Sequence, residues 1–93
     1  MSDEKTVFRA AIEEYGAYAQ SLMLLEEMAE LQKEVCKSYR GNDNTEQIAE
    51  EIADVEIMLA QIKMIYGVAD EVARYRRDKV ARLWKRLRRE ELT

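Results

Sequence analysis

The sequence has 93 residues, of which 37% are charged and 47% hydrophobic, with 3 glycines, no proline and no histidine. This length predicts a single domain over residues 1–93, and the composition excludes collagen-like and disordered chains. The lack of histidine excludes Ser-His-Asp and Cys-His catalysis within one chain, and also zinc sites with histidine ligands. Any catalysis must therefore use carboxylates, basic side chains or a hard metal ion.

The sequence shows no signal for a membrane or for export. It has no uninterrupted run of about 18 apolar residues, and its first dozen residues, which include Asp3, Glu4 and Arg9, lack the apolar core of a secretory signal. The single cysteine, Cys36, cannot form an internal disulfide, which is typical of a reducing compartment. We therefore expect a cytoplasmic protein without a membrane partner.

The composition, which is rich in Glu, Ala, Leu, Arg and Lys, predicts four helices and an all-α fold. Ser2 or Asp3 can cap a first helix that ends near Tyr15. A second helix is predicted over residues 18–39, because Gly41 and the polar residues after it are typical of a turn.

The second half of the chain is predicted to form two further helices. Asn44 or Thr45 is expected to cap the third, because Asn44 and Gln47 have the spacing of a capping box. The third helix should end near residue 66, and a fourth is predicted over residues 70–91.

The second and third helices each carry a long apolar stripe at intervals of three and four residues. The stripe residues are Leu24, Met28, Leu31 and Val35 on the second helix, and Ile48, Ile52, Val55, Leu59, Ile62 and Tyr66 on the third. A hairpin of two such helices is a natural half of a four-helix bundle, and a chain of this length buries only about 60% of its unfolded surface. We therefore expect the subunit to complete a helical bundle by self-association, as a homodimer or homotetramer.

Charge is divided unevenly along the chain. Residues 1–73 contain 6 basic and 16 acidic residues, a net charge of −10, whereas residues 74–93 contain 9 basic and 3 acidic residues, a net charge of +6. An acidic body with a basic last helix suits a protein that holds cations in one place and phosphates in another. Solvated helix faces produce the same pattern, so the charge distribution alone does not decide the function.

Matched acidic pairs lie on the same flank of both stripes. Angles around each helix axis are counted at 100° per residue from the centre of the apolar stripe. Glu27 and Glu51 then lie at about −60°, and Glu30 and Asp54 lie at about −120°. Either pair alone is common on solvated helices, but the E-x-x-E and E-x-x-D pairs together should bring four carboxylates to the edge of the core. A divalent cation would relieve their repulsion, and oxygen ligands favour Mg²⁺ or Mn²⁺.

The linked acidic motifs carry a family resemblance. The segments 26–31 (EEMAEL) and 50–59 (EEIADVEIML), with 20 residues between Glu30 and Glu51, resemble the all-α nucleoside triphosphate pyrophosphohydrolase superfamily and, within it, small MazG-like proteins. The resemblance covers residues 15–87. It implies a four-helix MazG-like subunit that hydrolyses a nucleoside or deoxynucleoside triphosphate to the monophosphate and pyrophosphate, and that removes non-standard or surplus nucleotides.

The resemblance also implies roles for individual acids. Glu27, Glu30, Glu51 and Asp54 would be the Mg²⁺ ligands, and Glu30 is the preferred candidate to orient or deprotonate the attacking water. Glu34 follows Glu30 by one helical turn on the same flank, so it is a candidate for a further ligand or for an acid behind the ligands.

Four other residues are candidates for substrate binding. Lys37 could reach a phosphate from the end of the second helix, although a lysine there also stabilises the helix dipole. In related enzymes a basic residue of the last helix binds the triphosphate, and Lys79 and Arg82 share a helix face that suits this role. Gln20 lies at about −40°, on the acidic flank, and could hydrogen-bond a base or sugar.

Two other functions fit parts of the pattern. The chain could be a non-enzymatic helical dimer that binds a protein partner, with the acids as ordinary surface charge. It could also bind nucleic acid through the basic last helix, but the acidic body would repel a polyanion and both acidic pairs would be left unexplained. The sequence therefore favours an enzyme without a nucleic-acid partner, and it leaves the preferred base and sugar, the number of metal ions and the choice between dimer and tetramer open.

Overall fold

The computed structural model describes residues 3–92, with side chains as far as residue 89, and these residues form four α-helices. The helices are α1 (Glu4–Tyr15), α2 (Ala17–Tyr39), α3 (Thr45–Tyr66) and α4 (Ala69–Leu92). No strand occurs in this part of the chain, so the predicted all-α class with four helices is confirmed. Within the same residues, none of the helices has the length and apolar character needed to cross a membrane.

Helix α1 begins as its sequence predicts. The Asp3 carboxylate accepts a hydrogen bond of 2.8 Å from the backbone N–H of Thr6, which satisfies one free amide of the first turn and lowers the pKa of Asp3. Gly16 ends the helix with a φ of 92°, a conformation that residues with a side chain rarely adopt, and α2 starts at the next residue. The alternative cap, Ser2, lies outside the described residues.

Helices α2 and α3 form an antiparallel hairpin, which is the largest helix contact in the chain. A turn over residues 40–44 joins them, so the start of α2 lies beside the end of α3. Helix α1 packs against this hairpin, with Phe8 near Ala53 and Ala60 of α3. Met58 of α3 is the one buried hydrophobic residue among the side chains that the structure describes.

The row of side chains between α2 and α3 is more polar than the sequence predicts. Four polar residues expose less than a tenth of their surface: Gln20, Glu34, Asn44 and Gln61. By contrast, four residues of the predicted apolar stripes each leave between 37% and 43% of their surface exposed: Met28, Val35, Ile52 and Leu59. The buried residues lie about 60° from the centre of the stripe on α2 and about 110° from it on α3, so the acidic flank of each helix faces the neighbouring helix.

The turn into α3 differs from its predicted cap. Asn44 precedes Thr45, but its side chain makes no capping hydrogen bond, so the predicted capping box with Gln47 is wrong. The Asn44 amide nitrogen instead donates to the backbone oxygen and to Oε1 of Glu34, both at 2.8 Å. The Asn44 side chain therefore ties the end of α2 to the start of α3.

Among the residues that the structure describes, helix α4 contacts the rest of the chain only near its start. It follows Gly67, which adopts the left-handed conformation at the end of α3, and its first part packs on α3 near Val68 and Val72. Over residues 73–89 every side chain of this helix is exposed. The radius of gyration is accordingly 17.0 Å, whereas a compact domain of this length has about 12 Å.

Candidate metal centre

Three carboxylates meet between α2 and α3, near the middle of the hairpin. Glu27 of α2 and Glu51 and Asp54 of α3 each offer an oxygen atom, and these oxygens lie within 4.8 Å of one another. All three residues are half-buried. Oxygen ligands of one small divalent cation lie about 3–5 Å apart, so the three carboxylates are close enough to share an ion.

The charges of this cluster are not compensated by the chain. Burial raises the pKa of Glu27, and the charges of Asp54 and Glu51 raise it further. Burial also raises the pKa of Glu51, as do the charges of Asp54 and Glu30. No basic side chain among residues 3–89 forms an ion pair with the three acids. A proton or a cation is therefore needed to hold them together.

One oxygen of the cluster is fully buried without a hydrogen-bond partner. Oε2 of Glu51 and Oδ1 of Asn44 are the two side-chain atoms in this state among the described residues. A buried carboxylate oxygen is unfavourable unless it accepts a hydrogen bond or binds a cation. A cation, or a proton shared between the acids, would give Glu51 Oε2 the partner that it lacks.

Glu30, the fourth predicted ligand, lies at the rim of the cluster. One of its carboxylate oxygens is 3.2 Å from Nζ of Lys33, and half of its side chain is exposed. Its charge is one of the causes of the raised pKa of Glu51, but its oxygens are not among those that converge. The structure thus brings three of the four predicted ligands together and leaves Glu30 at the solvent edge.

Glu34 and Lys37 belong to a separate polar group at the closed end of the hairpin. Glu34 Oε1 accepts the hydrogen bond from Asn44, and Glu34 Oε2 lies 3.4 Å from Nζ of Lys37. The hydrogen bond from Asn44 is the main cause of the lowered pKa of Glu34. These contacts hold Glu34 and Lys37 to the turn, and neither joins the three clustered acids.

Gln20 lies toward the open end of the hairpin. Its Nε2 donates a hydrogen bond of 2.7 Å to Oε1 of Gln61, and both residues are buried. Gln20 also lines an open cavity of about 480 Å³, together with Tyr15, Ala19, Leu22, Met23, Glu26 and Met58. Met23 precedes Glu27, and Met58 follows Asp54, by four residues, so the cavity lies about one helical turn from the carboxylates.

Lys79 and Arg82 are exposed on α4, and among the described residues only the first part of this helix packs on the rest of the chain. Their charges are not among those that shift the pKa of Glu27 or Glu51. Within one chain, the structure therefore does not bring these two basic residues to the carboxylate cluster.

Sequence reasoning missed two residues that organise the site. Gln61 pairs with Gln20, and the signal that could have identified it is a glutamine within the mostly apolar second half of α3. The sequence predicts Asn44 only as a helix cap, because its bond to Glu34 joins residues ten positions apart and has no local sequence pattern.

The three carboxylates determine the chemistry that is available to the site. Three carboxylates can bind a divalent cation, and through it the oxygens of a phosphate group.

The chain matches no protein-family model, no curated protein and no solved structure.

Proposed function

We propose that the protein is a Mg²⁺-dependent nucleoside triphosphate pyrophosphohydrolase, which converts an NTP or dNTP to the monophosphate and pyrophosphate. The observation that carries the proposal is the convergence of Glu27, Glu51 and Asp54, with a buried oxygen of Glu51 that has no partner. The resemblance of the two acidic motifs to MazG-like proteins supplies the reaction. Such an enzyme would remove non-standard or surplus nucleotides in the cytoplasm.

Each acid near the cluster has a distinct part in the proposed reaction. Glu27, Glu51 and Asp54 would hold Mg²⁺ or Mn²⁺, which when bound screens phosphate charge and lowers the pKa of a water molecule. Glu30 has a half-exposed carboxylate at the rim, where it can orient a water that enters from solvent and accept its proton. No covalent intermediate is required.

The cavity beside the cluster suits the nucleoside end of the substrate. Tyr15, Met23 and Met58 give it an apolar lining, and aromatic and sulfur-containing side chains pack well on the face of a base. The Gln20 amide forms a polar part of the wall, where it can hydrogen-bond the edge of a base or a sugar hydroxyl. Since the cavity and the acids are about one turn apart, one nucleotide can occupy both.

The proposed enzyme is a homodimer or homotetramer. The chain exposes 7824 Å², whereas a compact monomer of this mass exposes about 5,600 Å². Two chains that buried this excess would together hide roughly 4,400 Å², which is within the range of obligate dimers. The exposed apolar residues of α2 and α3 provide part of the surface for such a helical bundle.

A second candidate function is a non-enzymatic binding module. The exposed apolar residues of α4, which include Val80 and Leu83, favour it because an uncovered apolar helix face is typical of a protein-binding surface. This alternative treats the acids as surface charge, and it does not explain why a carboxylate oxygen of Glu51 is buried without a partner.

The test of the proposed function is pyrophosphate release from a panel of NTPs and dNTPs with Mg²⁺, with Mn²⁺ and with EDTA. We expect release of pyrophosphate from at least one nucleotide, and complete loss of release in EDTA. Release of orthophosphate, or turnover that EDTA leaves unchanged, would contradict the proposal. Silence across the panel, combined with no effect of Mg²⁺ on thermal stability, would support the binding module.

A further inference from the structure

A buried pair of glutamines joins the two helices at the open end of the hairpin, beside the cavity. Gln20 of α2 and Gln61 of α3 expose 7% and 3% of their surface, and Nε2 of Gln20 donates a hydrogen bond of 2.7 Å to Oε1 of Gln61. Helix packing alone does not require polar groups here, because two apolar side chains of the same shape can replace a hydrogen-bonded pair at little cost. A role beyond packing must come from the atoms that the pair leaves free.

The sulfur atom of Met58 sets the orientation of the Gln61 amide. Nε2 of Gln61 lies 3.8 Å from Sδ of Met58, which is the distance of a weak N–H···S hydrogen bond. The opposite orientation would turn the amide oxygen toward the sulfur and lose this bond, because neither of those two atoms is a donor. Gln61 therefore presents its oxygen to Gln20, and Gln20 must turn its NH₂ group toward that oxygen.

Gln20 consequently offers a hydrogen-bond acceptor to the cavity. Its Nε2 is used by Gln61, whereas its Oε1 accepts no hydrogen bond from the described residues. This oxygen is not among the fully buried side-chain atoms that lack a partner, so it is accessible to a ligand. Since Gln20 lines the cavity, the wall there carries an acceptor of fixed orientation instead of an amide that can turn either way.

We propose that Gln61 orients Gln20 so that the cavity selects bases with an exocyclic amino group, cytosine or adenine, over their keto counterparts, uracil and hypoxanthine. The amino group donates to Oε1 of Gln20, whereas a keto oxygen in the same place would bring two acceptors together. Gln20 is then a residue that determines specificity, and Gln61 is a positioning residue that does not touch the base. This inference rests on the proposed function, because it names the substrates of the same site.

Binding of nucleoside monophosphates tests the preference without any hydrolysis. The ligand pairs are cytidine with uridine monophosphate and adenosine with inosine monophosphate, in ribose and deoxyribose forms and with Mg²⁺. The probes are the methyl NMR signals of Met23 and Met58, which line the cavity. We expect the amino member of at least one pair to bind about tenfold more tightly than the keto member. Equal or reversed affinities in both pairs, or no binding of any ligand, would overturn the proposal.

The role of Gln61 is tested with Gln61→Met, which replaces the amide by an apolar group of similar length. The Gln20 amide is then free to turn, so the keto nucleotide should bind more tightly than it does to the wild type, and the preference of about tenfold should disappear. The matched control is Gln47→Met at an exposed position of α3, which should keep the preference. Equal weakening of both members of a pair, or an unchanged preference, would show that Gln61 does not orient Gln20.

A second variant covers the case in which Gln61→Met does not fold, as judged by circular dichroism. Gln20→Met removes the acceptor itself, so the amino nucleotide should lose about tenfold in affinity while the keto nucleotide changes little. Equal losses for both nucleotides would overturn the proposal.

Failure of this inference and failure of the proposed function give different results. Pyrophosphate release without any preference between amino and keto bases would leave the enzyme standing and refute the selection by Gln20. Preferred binding of an amino nucleotide, without pyrophosphate release from any triphosphate, would support the selection and refute the enzyme.

Discussion

The α2–α3 hairpin and α4 contain helices of nearly equal length, with 23, 22 and 24 residues, but they differ in what they bury. The hairpin encloses polar residues such as Gln20 and Gln61, while α4 leaves Leu83 and Leu87 in contact with water. An amphipathic pattern therefore indicates that a helix can pack, but it does not say which surface it packs on. For α2 and α3 that surface is in the same chain, whereas residues 73–89 of α4 are exposed.

The polar interior of the hairpin divides into satisfied and unsatisfied groups. Gln20 bonds to Gln61, and Glu34 bonds to Asn44, so these pairs stabilise the contact between the helices. In the cluster, Oε2 of Glu51 has no hydrogen-bond partner, and no basic side chain of the described residues pairs with the three acids. Oδ1 of Asn44 is also buried without a partner, so we place function at this cluster because three carboxylates converge there in addition.

The largest effect is expected from Asp54→Ala in the hairpin. Loss of a carboxylate from the cluster should reduce pyrophosphate release by more than about 100-fold, because removing even a residue that supports a metal ligand costs about 10–100-fold. Circular dichroism should show unchanged helicity. Glu56→Ala, at an exposed position of the same helix, is the control and should retain activity. Normal turnover by the Asp54→Ala protein would refute the metal-site assignment.

A large loss of stability is expected from Asn44→Ala at the closed end of the hairpin. The substitution leaves the buried carboxylate of Glu34 without its main hydrogen bond, and it should lower the free energy of unfolding by about 1–3 kcal/mol in urea denaturation. The control is Asn42→Ala in the same turn, where the lost hydrogen bond to Lys37 is exposed and the cost should stay below about 1 kcal/mol. Equal losses of unfolding free energy in the two variants would show that the hydrogen bond from Asn44 to Glu34 stabilises the protein no more than an exposed one.

A moderate effect is expected from pH. The pKa values of Glu27 and Glu51 are raised by folding, so the metal-free protein should lose thermal stability as the pH rises from the ordinary value of 4.5 through the raised values. Mg²⁺ should reverse this loss, and Glu51→Gln should reduce it. Glu34 has a lowered pKa, so its contribution is complete above 4.5 and disappears only as the pH falls through the lowered value. The measurement is the melting temperature over pH 4–8, with and without Mg²⁺. A melting temperature of the metal-free protein that rose throughout this range would contradict the assignment.

The smallest effect is expected from Leu83→Ala in α4, measured on dilute protein. In a single chain the side chain is exposed, so the free energy of unfolding should change by no more than about 0.5 kcal/mol. The matched change in the hairpin, Leu31→Ala, removes a half-buried side chain and should cost about 2 kcal/mol. At higher concentration the Leu83→Ala protein should become less stable than the wild type if the proposed self-association buries Leu83. A difference in stability between the Leu83→Ala protein and the wild type that does not change with concentration would contradict this contrast between α4 and the hairpin.

Local signals allowed the helix boundaries to be predicted. The Asp3 cap, Gly16 and Gly67 act within one turn of the chain, so their effect can be read from neighbouring residues. The rotation of α2 and α3 could not be predicted this way. It depends on the Gln20–Gln61 and Glu34–Asn44 bonds, which join residues far apart in the sequence.

The candidate site was predictable in part for a related reason. Helical spacing placed Glu27, Glu51 and Asp54 on facing flanks, and the structure brings them together. Glu30 and Asp54 have the same angle of about −120° on their helices, yet Asp54 is half-buried and Glu30 is exposed. The angle of a side chain around its own helix axis does not give the rotation of that helix against its neighbour. This rotation separates the two acids.

The short turn over residues 40–44 favours early formation of the hairpin during folding. Loops of this length close within on the order of 100 ns, and contacts between helices adjacent in sequence give fast folding. The proposed self-association is a bimolecular step, so its rate increases with protein concentration. A newly synthesised chain would then form its hairpin and its carboxylate cluster alone, and it would associate only when enough copies have accumulated.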